Sequence, residues 1–293
     1  MGMFADKLAV VTGGGAGIGR ELVIQLAAEG ASVATCDVNP DALKETAASA
    51  QRVATREAKI TTHICDVSNE AEMQRFRDEV MVQHETDHIN LMFNIAGIAG
   101  GGGFVKGDRA GWDRTFAVCW GGVYNGCRAF VPLLVASDGG YLVNMSSANG
   151  FLASIGPGLP HTAYSAAKFA VKGFTEALIE DFRVNAPHVR VAVVMPGHVG
   201  TDLLKNSRVL LKGGDGARRR LFRRREDSRG GDFRETAPTT AVEAARLILA
   251  GVSAGRWRIL VGEDARVLDE AVRADPEAAY GENGLSFFGV LDG

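Results

Sequence analysis

Tyr164 and Lys168 stand four residues apart in Tyr164-Ser165-Ala166-Ala167-Lys168. On a helix that spacing puts a phenol and an ammonium on one face. An unperturbed phenol titrates near ~10 and is a poor base at neutral pH; a neighbouring cation favours the phenolate and lowers that barrier. The pair therefore suits an oxygen that must gain or lose a proton. Any helix can place the two residues so by chance, so their weight depends on the elements that position them.

The strongest such element lies at the N-terminus. The apolar run Lys7-Val11 leads directly into Thr12-Gly13-Gly14-Gly15-Ala16-Gly17-Ile18-Gly19 and then into a helical pattern from Arg20. A pyrophosphate needs close backbone approach and free amides at a helix N-terminus, which larger side chains obstruct. The spacing is TGxxxGxG between strand and helix, so Gly13, Gly15, Ala16, Gly17, Ile18 and Gly19 are candidate cofactor contacts. Asp37 closes the second strand about 20 residues on, where a carboxylate accepts from the adenosine ribose hydroxyls and repels a 2′-phosphate. No Lys or Arg occupies positions 13 to 18, and Val38 and Asn39 follow, which favours NAD(H) over NADP(H). The competing reading of Asp37 is a solvated strand end. Asp66-Val67 ends the third strand where an adenine edge could be read, and Asn94-Ile95-Ala96-Gly97 ends the fourth.

Strand-length apolar runs recur at 8–12, 32–36, 60–65, 89–93, 141–145, 189–195 and 257–261. Helix-compatible stretches lie between them at 17–30, 40–51, 69–83, 109–136, 163–185 and 240–250. This alternation predicts an α/β, doubly wound Rossmann fold, about seven parallel strands with helices on both faces. One domain over 1–293 is expected, with a substrate-loop insertion at 198–236 and a C-terminal tail at 263–293. The segment 205–235 breaks the rhythm with Gly, Arg and Asp.

Composition narrows the function classes. A hydrophobic content of 46% over 293 residues can bury a sizeable core, and 32 basic against 35 acidic residues give a net charge of -3. That balance exerts no global pull toward nucleic acid or anionic membrane. No apolar run reaches the roughly 18 to 20 residues of a membrane span, and the expected location is the cytoplasm. Cys36, Cys65, Cys119 and Cys127 form no CxxC pair, so free thiols and no metal site are expected.

In order and spacing, the glycine turn, Asp37, Asp66, the NxAG run and YxxxK resemble the short-chain dehydrogenase/reductase family over about residues 5–262, in its NAD-dependent type. The resemblance implies interconversion of secondary alcohols and carbonyls. It implies Tyr164 as general acid/base and Lys168 as its partner, also binding the nicotinamide ribose. Ser147, in Asn144-Met145-Ser146-Ser147, matches the serine that hydrogen-bonds the substrate oxygen. Consecutive strand residues point to opposite faces, so only one of Ser146 and Ser147 can face the site. Pro196-Gly197-His198-Val199-Gly200-Thr201 resembles the segment where Pro196, Gly197, Val199 and Thr201 meet the nicotinamide end of the cofactor. These roles are chemically coherent, because hydride exchange at a carbinol carbon requires one proton carrier and one orienting donor at its oxygen.

One departure stands out. The family's helix after the fourth strand carries an asparagine that completes a water relay to the lysine, and aligning Trp112-Asp113-Arg114 and Gly122 puts Cys119 there. A thiol is a weak hydrogen-bond partner. Asn125 lies about 600° further around the helix and cannot replace it. The resemblance therefore implies lower or pH-shifted turnover.

The wall of the substrate pocket is expected from Leu203, Leu204, Leu210, Leu211, Leu221 and Phe222, facing the segment 151–161. His161 either touches substrate or sits at the pocket rim. Arg218-Arg219-Arg220 and Arg223-Arg224-Arg225 read as a solvated lid face, since Glu226 and Asp227 follow at once. The leading expectation is a small-molecule alcohol or ketone of medium, largely apolar, cyclic or steroid-like form. The alternatives are a β-ketoacyl-thioester reductase and a catalytically silent NAD-binding regulator. The helices 109–136 and 163–185 resemble the family's dimer- and tetramer-forming pair, so a homodimer or homotetramer is expected. The tail's Leu285, Phe287, Phe288 and Val290 could pack on a neighbour or cover the pocket.

Overall fold

Apolar runs buried on both sides are the mark of a parallel sheet covered by helices, and β1 (Leu8–Thr12) is buried at every position. The computed structural model describes residues 3–55, 57–211 and 233–287. Beside β1 stand β2 (Ser32–Asp37), β3 (Ile60–Ile64), β4 (Leu91–Asn94), β5 (Gly140–Met145), β6 (Val189–Pro196) and β9 (Arg258–Val261). They form one seven-stranded sheet in the order β3-β2-β1-β4-β5-β6-β9. Every pairing is parallel, with Val11 opposite both Thr35 and Phe93. The order reverses between β1 and β4, which opens a crevice at the carboxyl ends of the strands.

Helices α1 (Gly17–Ala28) and α8 (Ala241–Ser253) cover one face, burying Leu22, Leu26 and Ile248 against Val11, Phe93 and Val143. On the other, α3 (Glu70–His84), α5 (Gly122–Val135) and α6 (Thr162–Asn185) bury Phe76, Phe130 and Phe182 against Val10, Met92 and Leu142. Helix α2 (Pro40–Val53) packs beside α1. Asn39 and Asn69 cap α2 and α3 through their side-chain oxygens, as short polar side chains do at helix starts.

Three departures from the sequence reading concern the elements around the crevice. The stretch 109–136 is not one α-helix: α4 (Arg109–Phe116) and α5 are joined by a π-helical turn, Ala117–Gly121. Within the segment expected to be an irregular loop, Leu203–Leu210 forms α7, preceded by a two-residue strand β7 (Val199–Gly200) that pairs with β8 (Thr239–Thr240). The expected tail begins with α9 (Glu263–Ala274), whose apolar stripe is so narrow that its charged residues dominate the pattern. Leu268 on α9, with Ala279 and Phe287, closes a third apolar cluster against Phe151 and Met195. The tail therefore packs on its own chain as far as Phe287. The arginine triplets, Leu221, Phe222, Phe288 and Val290 lie outside the described residues. Among the described residues, no helix is long and apolar enough to cross a membrane.

Candidate active site

The turn after β1 is shaped by what its glycines must pass. A Cβ on Gly14 would lie 1.8 Å from Thr35 Oγ1, one on Gly19 2.2 Å from Gly13 O, and one on Gly15 2.9 Å from the Asp37 carboxylate. Gly13 and Gly17 have φ of 72° and 54°, which L side chains rarely adopt. The amides of Gly13 and Gly14 donate to Cys36 O at 2.8 and 3.1 Å, and Thr12 Oγ1 accepts from Ile95 and Ala96 N–H at 2.9 and 3.1 Å. These bonds lock β1, β2 and β4 together at the crevice. Helix α1 begins at Ala16 with no side-chain cap and no acidic residue in its first turn, unlike α2 and α3. Open amides, a positive dipole end and a glycine-lined approach are the requirements of a pyrophosphate, and the residues present fit one.

Asp37 lies beside this turn. Its carboxylate accepts from Gly15 N–H and Asn39 N–H, both at 3.1 Å. Burial raises its pKa, opposed by those amides and that of Val38. Asp66 carries a second carboxylate at the end of β3, but Arg114 and Ser68 engage it at 2.7 Å each. That ion pair holds Asp66 below its ordinary value even though burial acts in the opposite direction. Val67 is buried, and its carbonyl accepts from Asn125 Nδ2 at 3.0 Å, which gives Asn125 a role well away from position 119. Asn94 points toward α5, donating to Asn144 Oδ1 at 2.8 Å, so its backbone and the following Ala96-Gly97 are what border the crevice.

Ser147 caps the 3-10 turn Ala148–Gly150 directly after β5, accepting from Asn149 N–H at 3.1 Å. Its neighbour Ser146 donates instead to Lys168 O at 2.7 Å. The two serines, just past the end of β5, thus engage different partners. Ser147 also lies close enough to the Tyr164 hydroxyl to favour its ionised form. Lys168 is fully buried, donates from Nζ to Met145 O at 2.8 Å and lies 5.5 Å from the centre of the Tyr164 ring. Loss of water, with the Cys119 thiol acting in the same direction, raises the phenol well above its ordinary value, and the nearby Ser147 offsets only part of this; burial likewise lowers Lys168. Spacing alone predicts a depressed phenol beside the lysine. The opposite direction holds because the protein removes both groups from solvent.

Cys119 occupies the π-helical turn in contact with this cluster. Its thiol donates to Ile98 O at 3.1 Å and accepts from Ile98 N–H at 3.5 Å; burial keeps it neutral, with Lys168 pulling the other way. π-turns of this kind frequently mark functional positions. On the far side of the crevice, Gly197 N–H donates to Val261 O at 2.9 Å, Val199 is buried in β7, and Thr201 reaches across to Gly17.

Several participants carry no sequence motif. His161 ends the loop before α6, at the helix's N-cap position, and stacks on Tyr164. Ser207 on α7 accepts from Ala99 N–H at 2.8 Å, and Leu211 packs beside Gly100, closing α7 over the loop after β4; Leu203 and Leu204 are half-buried, whereas Leu210 is exposed. Trp112 Nε1 donates to Thr162 Oγ1 at 3.2 Å. Asp264, buried at the start of α9, accepts from His198 N–H. The i, i+3 spacing of His161 and Tyr164 could have revealed their contact; the other pairs join distant segments.

A doubly wound sheet with a glycine turn at its switch point and a Ser-Tyr-Lys cluster across the crevice defines a nucleotide-dependent oxidoreductase. The family profile described as short chain dehydrogenase matches residues 7–209. A protein of Mycobacterium tuberculosis named SadH is 36% identical over 273 residues, 93% of this chain and 92% of that one. A short-chain dehydrogenase/reductase from Burkholderia phymatum, solved in complex with NAD, superposes with a TM-score of 0.79 at 26% identity, covering 94% of this chain and 96% of the other. A metagenomic short-chain oxidoreductase, solved with NADP, gives 0.57 at 29% identity over 66% of this chain and 83% of its own. The chain belongs to the short-chain dehydrogenase/reductase family.

Proposed function

We propose that the chain, as one domain, is an NAD(H)-dependent oxidoreductase that interconverts a secondary alcohol and its ketone. Its substrate is medium-sized and largely apolar, cyclic or steroid-like. The observation that carries this reading is the meeting of Ser147, Tyr164 and Lys168 at the carboxyl end of β5, beside the glycine turn. A bound nicotinamide supplies or accepts the hydride. Gly13, Gly15, Ala16, Gly17, Ile18 and Gly19 would hold its pyrophosphate, Asp37 and Val38 the adenosine ribose, and Asp66 and Val67 the adenine edge. Asn94, Ala96 and Gly97 would border it through the backbone, with Pro196, Gly197, Val199 and Thr201 at the nicotinamide end. Asp37 supports NAD(H), because a 2′-phosphate would meet a carboxylate already placed against the turn.

The residues of this chain handle the proton. Tyr164 Oη gives it to the ketone oxygen in reduction and takes it back in oxidation. Ser147 Oγ donates to the same oxygen and keeps it within reach of the phenol. Lys168, held by Met145 O, places a positive charge where phenolate character develops. At neutral pH the raised phenol is protonated, the form that donates to a ketone.

A panel of ketones and secondary alcohols assayed with both cofactors tests this reading. Turnover should favour NAD(H), and Tyr164→Phe should lower kcat by roughly 10²–10⁴-fold while cofactor still binds. Wild-type turnover by Tyr164→Phe, or a preference for NADP(H), would overturn it. A cytoplasmic homodimer or homotetramer is the proposed form of the enzyme.

A further inference from the structure

His161 belongs to the crevice, yet the proton chemistry above gives it no task. Its imidazole lies on the face of the Tyr164 phenol, ring centroids 4.7 Å apart and 15° from coplanar. Its Nδ1 is sealed from solvent and has no hydrogen-bond partner. The residue stands at the N-cap position of α6, but its side chain caps no amide. A buried polar nitrogen is normally paired, and one left over beside a reactive group calls for a ligand. Burial lowers the imidazole to about 4, so at neutral pH the ring offers one N–H and one lone pair. That pairing chemistry suits an uncharged oxygen and gives no charge for a carboxylate or phosphate.

The residues on either side of His161 hold a glycine strap. Pro160 lies against Gly103, and Thr162 donates to Gly102 O from both N–H and Oγ1 at 2.9 Å. A Cβ on Gly101 would come within 2.3 Å of Ala163 Cβ, so only glycine lets this backbone lie on the first turn of α6. Gly101 and Gly102 have φ of 75° and 25°. The strap thus covers the turn that carries His161 and Tyr164.

We propose that His161 Nδ1 binds a second, uncharged oxygen of the substrate, a hydroxyl or carbonyl set apart from the reacting carbon. The inference rests on the alcohol–ketone reading and narrows it: the substrate class is a diketone, hydroxyketone or diol. Tyr164 addresses one oxygen and the stacked imidazole the other, so His161 determines specificity while the phenol carries the proton.

The test compares cyclohexanone with 1,4-cyclohexanedione in the holoenzyme. His161→Phe keeps a stacked ring without the nitrogen, and His161→Asn restores a hydrogen-bonding atom near Nδ1. The ratio of kcat/KM for the dione to that for the monoketone should fall about 10–100-fold in His161→Phe, chiefly through KM, and recover in part in His161→Asn. Equal losses on both ketones, or no loss, would overturn the proposal. Should the wild type reduce neither ketone, the alcohol–ketone reading is what fails. Calorimetric binding of the two ketones to the enzyme with NAD⁺ then decides the role of His161. Tighter binding of the dione that disappears in His161→Phe supports it, and equal affinities refute it.

Discussion

His84 sits between Thr61 and the positive Lys59, with its Nε2 2.9 Å from Thr61 Oγ1. Burial, then Lys59 and His63, lower it to about 4, and burial alone brings His161 to about the same value. Both folded values lie below the unfolded value of about 6.5, so the unfolded chain takes up these protons first. The stability they contribute is complete above pH 6.5 and is lost as pH falls toward 4. Asp37, raised above 3.8, acts in the opposite direction only near the acid end of that window. The urea midpoint should therefore fall between pH 7 and pH 5, and fall less in His84→Gln, which removes a titrating ring but can still bond Thr61. An identical fall in the two proteins would mean that His84 binds its proton equally in the folded and unfolded states.

The strand-turn-helix around β1 shows how an element transmits a demand on a single atom. Gly19 lies inside the first turn of α1, and any Cβ there meets Gly13 O, a backbone atom that cannot swing away. Gly19→Ala should cost about 1–3 kcal/mol of stability and weaken NAD(H) binding at least ~10-fold. Gly173, exposed within α6 with nothing near its missing Cβ, is the control. Gly173→Ala should stabilise by about 0.5–1 kcal/mol without changing cofactor affinity, as chemical denaturation and cofactor titration will show. Comparable effects at the two positions would refute the close-approach argument. The same locality explains what could be read in the sequence. Strands such as β1 and β6 were legible because apolar residues dominate them, and TGxxxGxG and YxxxK were legible because their function lies in short spacing. Helix α7 was hidden by the Gly- and Arg-rich stretch that follows it, and α9 by a stripe of only Ala265, Leu268 and Val272 among charged residues. The link from Ser207 to Ala99 spans 108 positions and leaves no periodic trace. The raised phenol was illegible for a related reason, since burial is a property of the assembled fold while the Tyr164–Lys168 spacing is local.

At the scale of the whole molecule, α6 faces two environments. Its first turns carry Tyr164 and Lys168 into the crevice, while Phe169 remains 41% exposed on the same helix. Tyr124 on α5 is 44% exposed and forms an aromatic cluster with Trp120 and Phe174, the Trp120 and Phe174 rings meeting edge to face at 5.4 Å. Large apolar side chains grouped on one surface favour a partner, and a two-fold pairing of the α5–α6 face with itself covers both patches using one set of residues. Such an interface would stiffen the helix that bears the proton carrier, so assembly and activity should be linked. Light scattering should give the wild type at least twice the mass of one chain. The double variant Tyr124→Glu/Phe169→Glu should shift toward the single-chain mass and lose melting temperature and kcat together, because carboxylates buried at a self-pairing face are desolvated and repel one another. A wild type that stays monomeric at micromolar concentration, or a double variant that stays assembled, would place the contact on another face and detach α6 from any role in coupling assembly to catalysis.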